Sequence, residues 1–120
     1  WFVTVSNVGA GHSFPTDERS RTADLFWRPL SEDENAPWSH LHRIRSPYRD
    51  EVDIPDTLLL SGEARELAIT TESEGAGIPV TADQAIEVTL FYRRTPVWED
   101  LSHPADNRGA VEVARVELKP

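Results

Sequence analysis

Apolar residues in this chain recur at every second position rather than every third or fourth, a spacing that selects β-strands. The clearest case is residues 85–94, where Ile86, Val88, Leu90 and Tyr92 point one way and Glu87, Thr89 and Phe91 the other. Residues 1–7 set Trp1, Val3 and Val5 against Phe2, Thr4 and Ser6. Residues 21–28 set Ala23, Leu25 and Trp27 against Thr22, Asp24 and Phe26, and Pro29 limits them. In residues 38–45 the same count puts Trp38, His40, His42 and Ile44 on one side. Residues 57–60 and 64–71 read as two strands around Ser61-Gly62-Glu63. Residues 109–118 close the chain, with an alternation that shifts near Ala114 as a β-bulge would shift it.

Nine prolines and six glycines lie between and within these runs, leaving little room for a helix. Residues 8–19, 32–35, 46–56, 74–79 and 97–108 are the expected loops. About seven short strands punctuated in this way predict an all-β, antiparallel, immunoglobulin-like sandwich. A small open barrel would give nearly the same string. A chain of 120 residues has the length of a single domain and buries roughly 65% of its unfolded surface, enough for one core.

Charge and composition narrow the function classes. The chain carries 21 acidic and 12 basic residues, and its net charge of −9 repels phosphate backbones and anionic headgroups. Nucleic acid is therefore not an expected partner, nor is insertion into a membrane, since no apolar run approaches the ~18 residues a span requires. The absence of Cys removes disulfides, thiol nucleophiles, Cys-ligated zinc and covalent haem attachment through CxxCH. Met is absent too, so the chain is expected to be a processed product or a segment of a longer one.

The most distinctive stretch is Asn7-Val8-Gly9-Ala10-Gly11-His12-Ser13-Phe14-Pro15-Thr16, which follows the first strand directly. Its glycines permit close backbone approach and Pro15 stiffens the exit, so the loop is expected to present His12. This segment resembles the N-x-G-A-G-H-x-F-P-T signature of the haem-free β module carried by periplasmic and extracellular multihaem c-type cytochromes. The similarity continues through Arg21 and the strand of Ala23 to Trp27, and later through Val88 to Pro96. One departure is Asp17, where the family usually has Gly after Pro-Thr.

The resemblance implies a periplasmic or extracellular, non-catalytic accessory domain in an electron-transfer assembly, packed against a haem-bearing domain or subunit. No haem is bound covalently by such a module, so any haem c belongs to the neighbour. Two roles stay open for His12: an axial nitrogen for that neighbouring haem iron, or an imidazole that bonds its own loop and locks the turn.

Other constellations carry less. His40 and His42, two apart on one strand, would share a face, but no third metal ligand accompanies them. His103, before Pro104, reads as a surface residue. Asp50, Glu51 and Asp53, with Asp56, are candidates for calcium, although their spacing matches no EF-hand and a solvated acidic loop is the alternative. Ser13, His12 and Asp17 lie too close in one loop to form a hydrolytic triad, and no helix follows Gly9 and Gly11 to make a phosphate cradle. The competing function is a haem-free carbohydrate- or protein-binding module that uses exposed aromatics. Trp27 and Trp38 are expected in the core, and Trp98, in a loop, as the contact surface.

Overall fold

The computed structural model describes residues 1–7, 15, 21–45, 57, 59–60, 62–70, 80–95 and 98–120. Six strands form in chain order: β1 (Phe2–Ser6), β2 (Thr22–Pro29), β3 (Ser39–Ile44), β4 (Ala64–Ala68), β5 (Ile86–Arg93) and β6 (Val111–Leu118). All strand pairs are antiparallel. β1 and β4 make a two-stranded sheet, and the other four make a sheet of order β3-β2-β5-β6. In an immunoglobulin-like sandwich this arrangement corresponds to B-E facing C′-C-F-G. The all-β sandwich expected from the alternation is thus the fold.

The strand expected over 57–60 is reduced, among its described residues, to an isolated bridge at Leu59. A leucine run without alternation offers no polar face for the outside of a sheet. Leu59 is wholly buried, whereas Leu60 is 59% exposed.

The sandwich interior is filled by Val3 from β1, Ala23, Leu25 and Trp27 from β2, Ile44 from β3, and Ile86, Val88 and Leu90 from β5. In β1, β2 and β5 these residues belong to one alternate set of each strand, whereas in β3 only Ile44 of the hydrophobics expected on one side joins them. Trp27 is 2% exposed and is the largest buried side chain of the cluster. Leu59, Ile69 and Val80 complete it.

Two bulges interrupt the large sheet. Between β5 and β6 the register passes from Leu90↔Ala114 to Phe91↔Glu112, leaving Val113 as the extra residue where the alternation breaks. Between β2 and β3 it passes from Leu25↔His42 to Phe26↔His40, so Leu41 is extra.

Candidate functional site

β2 and β5 are buried on both faces, which an ordinary sandwich sheet is not. On the face turned away from the interior, β2 presents Thr22, Asp24, Phe26 and Arg28, and β5 presents Glu87, Thr89, Phe91 and Arg93. Trp98 and Ala110, at the two ends of a loop, pack on the aromatic members of this face. Phe26 and Phe91 pack edge-to-face at 6.0 Å, and Trp98 sits edge-on to both, at 5.5 and 6.5 Å. A second, smaller apolar cluster is thereby built from Phe26, Phe91 and Trp38 with Trp98 and Ala110 packed on it.

Asp24 lies at one end of this cluster with no solvent exposure. His40 Nε2 at 2.6 Å and Arg43 Nε at 2.9 Å reach its Oδ1. The Thr22 hydroxyl at 2.9 Å and the Trp98 indole N–H at 3.0 Å donate to Oδ2. Burial pushes the carboxyl upward, but the His40 hydrogen bond and the Arg43 charge outweigh it and hold the group below its ordinary 3.8. A carboxylate whose lone pairs are so occupied is a structural anchor, with little capacity left to take a proton from a substrate or bind a metal.

At the other end, Arg28 is 3% exposed and lies 4.0 Å over the Trp38 ring. Its Nε donates to Glu87 at 2.6 Å and its Nη1 to the Ala36 carbonyl at 2.7 Å. Arg115 of β6 stands 5.3 Å from the same ring. The planar guanidinium suits this combination of stacking and fixed donors, which a lysine cannot reproduce.

The covering loop is tied by Asn107, whose Oδ1 accepts from the backbone of Glu99 and Asp100 and whose Nδ2 donates to the Asp100 and His103 carbonyls. A 3-10 turn, Pro104–Asp106, fixes its apex. His103 joins the loop to the β2–β3 turn through Asp100 Oδ2 at 3.0 Å and the Asn35 carbonyl at 3.1 Å. Two acceptors favour the doubly protonated ring, so the bond to Asp100 and then that to Asn35 hold His103 above its ordinary 6.5.

On the interior face, His42 accepts from Arg65 Nη1 of β4 at 3.0 Å, and Arg65 also holds the Thr57 carbonyl and Glu63. Burial, then the Arg65 charge, lowers His42 below 6.5.

The extra residue Leu41 therefore corrects the sequence expectation for the histidine pair. His40 stands with Phe26 and Asp24 on the outer face, 5.3 Å from the Phe26 ring, while His42 pairs with Leu25 and turns toward β4. Trp98 is also corrected: it is half-buried, and its indole N–H is engaged by Asp24, because Phe26 and Phe91 require a cover. Trp27 fills the inter-sheet core as expected, and Trp38 is buried but in the outer cluster. His12, Asp50, Glu51 and Asp53 lie outside the described residues, as do Ser13 and Asp17. Among the described residues no three His, Asp or Glu side chains converge as a metal site. Nor is any helix among them long and apolar enough to cross a membrane.

Sequence reading passed over Asp24, Arg28 and Arg93. The available signal was Phe26 and Phe91, two large aromatics at positions that an exposed sheet face would give to polar side chains.

Two open hollows flank these clusters. One, of about 330 Å³, is lined by Arg93, Arg94, Thr95, Arg108 and Gly109, gathering three arginines on a chain of net charge −9. The other, of about 320 Å³, is an apolar groove between β1 and β6. No family model, no curated protein and no solved structure matches this chain.

Proposed function

We propose that this chain is a non-catalytic accessory domain of a multihaem c-type cytochrome assembly, located in the periplasm or outside the cell and packed against haem-bearing polypeptide. The observation that carries the reading is the segment Asn7 to Thr16, with its glycine-flanked His12, placed directly after the first strand of an all-β sandwich. In this reading His12 supplies the distal axial nitrogen to a haem c of the neighbour. The domain's own buried ionic groups hold its loops and leave the chemistry to the partner.

The arginine hollow gives the reading a second support. Haem edges carry carboxylates, and Arg94 and Arg108 present exposed guanidinium groups beside the buried Arg93, a geometry suited to paired carboxylate oxygens.

The test is to isolate the native assembly and record its visible and electron paramagnetic resonance spectra with His12 intact and with His12→Ala. One low-spin bis-histidine haem is expected to become high-spin in the variant, while the other haems keep their spectra. An assembly without haem-bearing polypeptide would overturn the whole reading. An unchanged spectrum in an assembly that does contain haem would remove His12 from the iron and leave the packing role.

A further inference from the structure

The two sheets of this sandwich are unequal, and the mismatch leaves one strand's width uncovered. Arg65 of β4 reaches His42 of β3, and β1 shares the apolar groove with Leu25 of β2 and Val88 and Leu90 of β5. β4 thus lies over β3, and β1 over β2 and β5, with no described strand over β6. Exposure agrees. The residues of β6 paired with the inward set of β5 are Val111, Ala114, Val116 and Leu118, and Val111 and Val116 are 56% and 44% exposed.

The edge of β1 beside this gap is unpaired among the described residues. Trp1 and Ile69 exchange backbone hydrogen bonds of 2.7 and 2.8 Å, and the Asn7 amide donates to the Glu63 carbonyl at 2.9 Å. Odd-numbered residues therefore bond to β4, and Phe2, Thr4 and Ser6 direct their N–H and C=O groups outward. The edges of the sheets differ in what guards them. β3 carries His40, His42 and Arg43, β4 carries Arg65 and Glu66, and β6 carries Glu112, Arg115 and Glu117. β1, with the sequence Phe-Val-Thr-Val-Ser, has no charge, no proline and no glycine. Exposed edges are normally protected by such residues, and a neutral, β-branched edge beside an apolar groove is built for pairing.

We infer that the β1 edge takes one extended strand donated by a partner polypeptide, which extends the small sheet over β6. Backbone groups of Phe2, Thr4 and Ser6 supply the ladder, and the groove lined by Val3, Val5, Val88, Leu90 and Val116 receives every second side chain. The donor strand is apolar at those alternate positions. Lys119, in a hollow that Phe2 also lines, matches a carboxylate on its polar positions. A second copy of this chain does not fit. Pairing β1 with β1 sets those strands about 4.8 Å apart, and the β6 strands, which project beyond β1 in both copies, then collide. Two chains of net charge −9 also repel.

The test is amide hydrogen exchange on the 120-residue chain, alone and with a capped octapeptide alternating Val with Thr and Glu. Alone, the amides of Phe2, Thr4 and Ser6 should exchange freely while those of Val3, Val5 and Asn7 are slow. The peptide should slow the first three by about tenfold or more. Val116→Lys, at an exposed position, should abolish that slowing without altering the exchange of Trp27, and Val116→Ile should keep it. Slow exchange at Phe2, Thr4 and Ser6 in the chain alone would mean the edge is filled from within and would overturn the inference. So would unchanged exchange in the presence of the peptide, or a concentration-dependent dimer that protects the same amides.

Discussion

The two faces of β2 and β5 are both buried, yet they achieve it by different physics. The interior face uses Ala23, Leu25, Trp27, Ile86, Val88 and Leu90, side chains that need no partner and gain simply by leaving water. The outer face interleaves Phe26 and Phe91 with Asp24, Arg28, Glu87 and Arg93, charged groups that are tolerated only because each finds a partner. The first face tolerates changes that conserve volume; the second is sensitive to the loss of any one member, since the survivors are left buried and unpaired.

The largest expected break comes on the interior face. Trp27→Ala should cost about 3–5 kcal/mol and shift the denaturant midpoint strongly, as a cavity opens between the sheets. A midpoint that hardly moves would mean that Trp27 does not fill the space between the sheets. On the outer face, Asp24→Ala removes the acceptor for four donors and should cost about 3 kcal/mol. Its signature differs from that of Trp27→Ala: exchange of the amides in residues 98–110 should rise before global unfolding, because Trp98 loses its anchor. Arg28→Lys keeps the charge but gives up the fork that serves Glu87 and Ala36 and the stacking on Trp38, at about 1–3 kcal/mol. A loss equal to that of Arg28→Ala would identify the geometry, rather than the charge, as what matters.

Acidity separates the faces with smaller effects. His42, on the interior face, has its folded value lowered below 6.5, so the unfolded chain takes up the proton first. Its contribution is complete above pH 6.5 and is lost as pH falls through the folded value; His42→Gln should flatten that part of the stability profile. His103, on the outer loop, is raised above 6.5, so its contribution is complete below that pH and disappears as pH rises through the folded value. His103→Gln should remove this slope in the opposite direction. Asp24, held below 3.8, contributes above that value and releases the outer cluster as pH falls below it. Stability profiles with the same sign of slope for His42 and His103 would contradict the opposite surroundings that set them, burial beside Arg65 for one and the Asp100 carboxylate for the other.

Much of the scaffold was legible because strand periodicity is local. The alternation in residues 1–7, 21–28 and 85–94 appears as β1, β2 and β5 with the expected division of side chains between two faces, and even the bulge near Ala114 was visible as a break in phase. The histidine pair was misplaced for the complementary reason. Nothing within Ser39–Ile44 reveals that Leu41 is extra; the bulge exists only relative to β2, so His40 and His42 separate once the strands are paired. Trp98 was misassigned because a loop residue carries no periodicity, and the aromatic surface it covers belongs to strands distant in sequence.

Composition and the two-residue period were enough by themselves to determine an all-β chain without thiol chemistry, whereas the choice of a sandwich over an open barrel came from the separation into two sheets. Which outer-face residues become buried was decided by tertiary structure alone. The partners of Asp24 are 2, 16, 19 and 74 residues away, so their convergence depends on strand register and loop closure. Hydrophobic alternation acts between neighbours along one strand and can be read there. A saturated buried carboxylate is a property of several segments meeting in space, and only the folded chain brings them together.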